Sequence, residues 1–250
     1  SEKLAARIAN GETGKFDAEL FSFIATDFLN GVQSAFKRSM NHADVRFAYG
    51  LQDDAFITAL EMNLFHFSAG KTLAEIQELN KAFRESGNFQ EFSKKAEQIC
   101  GTFNKTWQKT EYETAVLTAE SASNYHQLKG KTKLFPYWKY VTAGDEKVRE
   151  EHRKLDGVIL PANDPRWKKI FPPNGWKCRC RVVPLMKHEV EGIDINAMRA
   201  IVDEYLGTGE WKMNEAQGWD SNRGETAEVF SKNQHYIRKF PDKAASLLGD

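Results

Sequence analysis

All seven prolines of this 250-residue chain lie beyond Gly130, as do five of its six tryptophans. Proline removes a backbone donor and clashes with the preceding helical turn, so only the proline-free first half is free to run in long helices. The second half must break into short elements. Brief β-prone runs there, "VIL" and "CRCRVVPL", stand between Gly, Pro and Asn-Asp turns. The expected fold class is α+β: a mainly helical N-terminal region over 1–130, then a compact α+β module with short strands over 131–250. The boundary is set at about residues 128–135.

Within the first half, Asp17 reads as an N-cap, and Leu20, Ile24, Phe28, Val32 and Phe36 follow at helical spacing, widened by Phe21 and Leu29. That stripe is core. Thr72 and Glu75 fit a capping box that opens a second helix through Leu73, Ile76, Leu79 and Phe83, ending near Ser86-Gly87-Asn88. "FSAGKT", Phe67 to Thr72, lacks the first glycine of a phosphate-binding loop and is read as a turn leading into that helix. A further helix is expected with Phe89, Phe92, Ile99, Phe103 and Trp107 inside, continuing to about residue 124.

With 41% hydrophobic and 12% aromatic residues, the composition is that of an ordinary globular protein and excludes a disordered chain. Lys plus Arg and Asp plus Glu number 35 each, so net charge says nothing of partners. Locally, Lys129 to Arg181 carries an excess of eight positive charges. The first residues lack the apolar core of a secretory signal, and no later run reaches membrane-span length. Synthesis and first residence in a cytoplasm are expected. An opening Ser1 without methionine suggests a trimmed N-terminus.

The three cysteines, Cys100, Cys178 and Cys180, are odd in number, and the close pair is too near in sequence for an unstrained bridge. Reduced thiols are expected. If "KCRCRVV" is a strand, Cys178 and Cys180 share one face and Arg179 and Arg181 the other. A helix starting near Asp145 sets Asp145, Arg149 and His152 on one side. His152, Cys178 and Cys180 then supply three ligands for a tetrahedral zinc ion, with Asp145 or water as the fourth. The bland alternative is an N-cap, an ordinary ion pair and buried small thiols. A catalytic alternative makes His152, with Arg149 and Asp156 nearby, the acid or base of a phosphodiester-cleaving site. His42, His66, His126, His188 and His235 have no partners at ligand spacing.

"KTEYETA" from Lys109, then "YVTAGDEKVREEHRKLDGVILPANDPRWKKIFPPNGWKCRCRVVPL" from Tyr140 to Leu185, resembles the phage Mu F-like, or phage head morphogenesis, minor head protein family. "GWDSNRGETAEVF" and "NQHYIRKF" resemble its closing segment, with an Asn-x-Gly turn. The likeness covers roughly residues 105 to 240. Lys109 departs from the pattern, since an arginine often precedes the Thr-Glu pair.

The resemblance implies a phage or prophage minor head protein, made in the bacterial host cytoplasm and then part of the virion head. It implies association with the portal vertex and a role in head morphogenesis. The family's Asp, His and paired cysteines map to Asp145, His152, Cys178 and Cys180, which supports a structural zinc site. Some relatives carry appended toxin or transferase domains; with Asp250 so close behind the module, no such C-terminal extension is expected. Expected partners are the portal protein, a scaffold or capsid protein and double-stranded DNA, with no membrane. Lys168, Lys169, Arg179 and Arg181 are the expected phosphate contacts. The alternative function is a nuclease or toxin-like effector delivered with the genome, and the enzyme reading stands second to the structural one.

Overall fold

The computed structural model describes residues 2–14, 16–40 and 51–240. Helices α1 (Glu2–Ala9), α2 (Ala18–Met40), α3 (Leu51–Arg84) and α4 (Phe89–Gly101) come first; a π-helical stretch, Thr102–Trp107, then runs into α5 (Gln108–Gly130). Asp17 caps α2 by accepting the Leu20 amide at 2.8 Å. Leu20, Ile24, Phe28, Val32 and Phe36 are all buried. Each large side chain so buried contributes roughly 1.5–3 kcal/mol.

The expected helix start at Thr72 is corrected. Thr72 and Glu75 lie inside α3 and are wholly buried. The Thr72 hydroxyl donates to the Ser68 carbonyl at 2.8 Å, the local bond a mid-helix threonine makes. "FSAGKT" is likewise helix rather than turn, and its small residues have a packing role. A Cβ on Gly70 would sit 3.1 Å from the backbone of Tyr236, so the glycine admits the closing segment of the chain. The helix does end where expected, just before Ser86-Gly87-Asn88.

Phe89 and Trp107 are not inner residues: they are 53% and 42% exposed, while Phe92 and Phe103 are buried. The π-helical stretch widens its turn, which rotates Trp107 off the face that 3.6-residue spacing assigns it. Helix α5 also runs past residue 124, to Gly130.

Beyond it the elements shorten: β1 (Tyr137–Val141), α6 (Glu150–Arg153), β2 (Ile159–Pro161), α7 (Trp167–Ile170) and β3 (Arg181–Leu185). A 3-10 turn, Lys187–Val190, precedes α8 (Ile195–Leu206), α9 (Gly209–Ala216), α10 (Arg223–Thr226) and α11 (His235–Lys239). The sheet is antiparallel in the order β2-β1-β3. Pro161 and Pro184 fall on the two edge strands, where a missing donor is tolerated. The α+β expectation holds.

Two buried clusters result. One joins α1 to α5 with Val229, Phe230, Tyr236 and Phe240 of the closing segment. The other gathers Trp138, Tyr140, Leu160, Trp167, Phe171, Cys178, Cys180 and Val182 around the sheet. Helix α5 serves both, with Ala115 and Ala119 in the first and Tyr125 and Leu128 in the second. No described helix is long and apolar enough to cross a membrane.

Candidate metal centre

The two cysteines immediately precede β3 instead of lying in it, because the backbone turns at "PPNGWK". Cys178 N–H bonds the Gly175 carbonyl at 3.2 Å, and Lys177 takes φ 54°. Gly175 has φ +151°, and a Cβ there would lie 3.3 Å from the Arg149 guanidinium. Arg149 in turn donates to the Trp176 carbonyl at 2.6 Å, clamping the turn. The in-out alternation survives the change of element: Cys178 and Cys180 are buried, while Lys177, Arg179 and Arg181 are exposed.

The fully buried Asn174 ties this turn to the sheet. Its amide donates to the Lys169 carbonyl at 3.1 Å, and its side-chain oxygen lies 3.3 Å from the Tyr140 hydroxyl. Its main-chain carbonyl lies 3.2 Å from His152 Nε2. A carbonyl only accepts, so Nε2 carries the proton and Nδ1 presents a bare lone pair. That lone pair meets Cys178 Sγ at 3.7 Å and Cys180 Sγ at 3.6 Å.

His152, Cys178 and Cys180 are 1%, 4% and 9% exposed, and their ligand atoms all lie within 4.8 Å of one another. Tetrahedral zinc with Zn–S of about 2.3 Å and Zn–N of about 2.0 Å requires an N···S separation of about 3.5 Å. The donor set therefore fits a soft, tetrahedral cation in both chemistry and spacing. Among the described residues no other group of three such side chains comes together; His42 lies outside the described residues.

The Cys178 thiol is held well below its ordinary pKa by its hydrogen bond with Cys180, aided by His152. Cys180 is pushed far up by that same neighbour and by burial. Two adjacent buried thiols resist a second ionisation without a counter-charge. The Tyr140 hydroxyl, fully buried beside the pair, is pushed well up by burial.

Asp145 stands apart from this group. Its carboxylate accepts the Lys147 amide at 3.1 Å, which closes a turn in place of the expected helix, and α6 begins only at Glu150. Arg179 reaches the same carboxylate with both terminal nitrogens, at 2.6 and 2.7 Å, and keeps it well below the usual range. For catalysis the geometry is unfavourable: both His152 nitrogens are engaged in a buried site, Arg149 is spent on the turn, and the Asp156 carboxylate accepts the Thr142 amide at 2.7 Å.

The basic residues named from sequence have different surroundings. Lys169 lies 3.5 Å from Glu215, Lys168 lines a separate cleft with Tyr125, Lys129 and Trp138, and Arg181 is exposed at the start of β3. Sequence reasoning missed Asn174 and Tyr140, which set the His152 tautomer and border the thiols. The Pro-Pro-Asn-Gly turn was the available signal for the first.

A family model described as "Phage Mu protein F like protein" matches residues 76–183. The putative capsid assembly protein F of Escherichia phage Mu is 32% identical over 152 residues, covering 52% of this chain and 34% of that protein. The Mu-like prophage FluMu F protein of Haemophilus influenzae is 37% identical over 115 residues, covering 45% of this chain and 26% of that protein. An uncharacterized protein of Methanocaldococcus jannaschii is 49% identical over 47 residues, covering 18% of this chain and 7% of that protein. This chain thus aligns with 34% or less of the length of each of these relatives. No solved structure matches it. Over residues 76–183, which include α5, β1, β2, the start of β3 and all three converging ligands, the chain is similar to the phage Mu protein F-like family.

Proposed function

We propose that this chain is a phage or prophage head-assembly protein that acts at the portal vertex, with its α+β module stapled by one zinc ion. It is assembled in the host cytoplasm and carried in the virion head. The observation that supports this reading best is that the segment matched by the Mu protein F-like family model contains the buried His152, Cys178 and Cys180 group.

In that reading His152 Nδ1 and the thiolates of Cys178 and Cys180 would hold the ion. The ion would neutralise the two thiolates and tie α6 to the turn before β3. The long helices α2, α3 and α5 form the body that docks on the portal, and a scaffold or capsid protein is a further partner.

Co-expression with the portal protein of the same phage, followed by size-exclusion chromatography, tests the assembly role. Co-elution that survives moderate salt is the expected result. Elution of this chain alone, beside a folded portal ring, would overturn portal association.

A further inference from the structure

The outer face of the cysteine-bearing loop forms one wall of a groove of about 990 Å³, and helix α5 forms the other. Five exposed cations line it: Lys109 from α5, Lys147 and Arg149 from the segment leading into α6, and Lys177 and Arg179 from the loop. Two carboxylates, Glu113 and Glu120, share the lining. Lys177 pairs with Glu113 at 2.7 Å and Arg179 with Asp145, but all four side chains are 40–45% exposed. Such pairs are worth little in water and exchange readily for a stronger anion. Lys109 and Lys147 form no salt bridge among the described residues. Tyr112 and Trp176 add aromatic surface.

We propose that this groove takes the phosphate backbone of double-stranded DNA, with Lys109, Lys147, Lys177 and Arg179 as the phosphate contacts. The choice of DNA as the polyanion rests on the head-assembly reading. The place and charge of the surface do not. Guanidinium and ammonium groups on two facing walls suit phosphates on a continuous strand, and among the described residues no base-reading element enters the groove, so binding is independent of sequence. Cys178 and Cys180 point inward from the same loop that presents Lys177 and Arg179 outward, so the buried site holds the groove wall in place.

Fluorescence anisotropy with a 30-base-pair duplex of arbitrary sequence tests this. Four phosphate contacts predict a log–log salt slope of about −3.6, or roughly 100-fold weaker binding between about 50 and 200 mM salt. The double variant Lys109→Gln, Lys147→Gln breaks no ion pair of the fold; it should bind about 10-fold more weakly at low salt with the slope reduced by about 2. The double variant Lys168→Gln, Lys169→Gln should bind like the parent. No binding by the parent at about 50 mM salt, unchanged binding by the first variant, or equal loss in the second would each overturn the groove. A parent that co-elutes with portal but ignores the duplex sinks the groove and leaves the assembly role standing; DNA binding without portal co-elution does the reverse.

Discussion

Changing Cys178 and Cys180 together to serine should abolish metal content: elemental analysis of the reduced parent gives about one zinc per chain, and of the variant none. Serine hydroxyls are poor ligands at neutral pH, so His152 alone cannot retain the ion. The loss also removes the tie between α6 and the turn before β3. Structural zinc sites supply on the order of 10 kcal/mol where no site is preformed. Here the Asn174 and Arg149 bonds already hold the turn, so a smaller loss of about 4 kcal/mol is expected, lowering Tm by roughly 8–16 °C in a chain of this size. A chelator should reproduce the shift in the parent and do nothing to the variant. Cys100→Ser is the control. Cys100 sits in the helical core with its thiol pushed up to about 12 by burial, and its replacement should leave the zinc in place. A metal-free parent that melts like the double variant would remove the site.

The second large effect lies far from any thiol. Lys71 is fully buried and paired with Glu111, which is itself 4% exposed. Burial pushes the Lys71 ammonium down and the Glu111 carboxyl up, and the attraction between the two groups opposes both shifts. Lys71→Met strands a buried carboxylate, and chemical denaturation should register a loss of about 3–5 kcal/mol. Adding Glu111→Leu should restore most of it, because removing both charges ends the desolvation penalty. A single variant as stable as the parent would show that the pair is open to water.

Next to this pair, Glu75 accepts a hydrogen bond from the Asn104 amide at 2.7 Å, and burial raises its pKa from 4.5 to about 7. A carboxyl with a raised folded-state pKa binds more protons folded than unfolded between those values. Its contribution to stability is therefore greatest below pH 4.5, declines as pH rises, and is constant above about 7. Glu75→Gln should flatten that decline in a denaturation series across this window. An unchanged slope would assign it to other groups.

The Lys71–Glu111 pair also marks where sequence reading stopped. A lysine after Ser-Ala-Gly looks like a turn locally, because small residues and a charge are turn-like when no neighbour is in view. In the folded chain the small residues make room for Tyr236, and the charge is met from α5, 40 residues on. Trp107 leaves its expected face for a related reason: regular spacing assumes a regular helix, and the π-helical stretch breaks it; Phe89 is the first residue of α4, directly after the N-cap Asn88.

The sequence by itself determined the helical face from Leu20 to Phe36, the change of architecture after Gly130, and the inward pairing of Cys178 with Cys180. Each follows from local rules: apolar periodicity, the cost of proline inside a helix, and the alternation of an extended chain. Only the tertiary structure decided which groups complete the site. Asp145 spends its carboxylate on a turn and on Arg179, while Asn174 sets the His152 tautomer. Both outcomes depend on competition for hydrogen bonds between segments far apart in the chain, which spacing cannot express. The same holds for the basic groove: charge counted along the chain becomes a surface only when α5 and the cysteine loop are folded against each other.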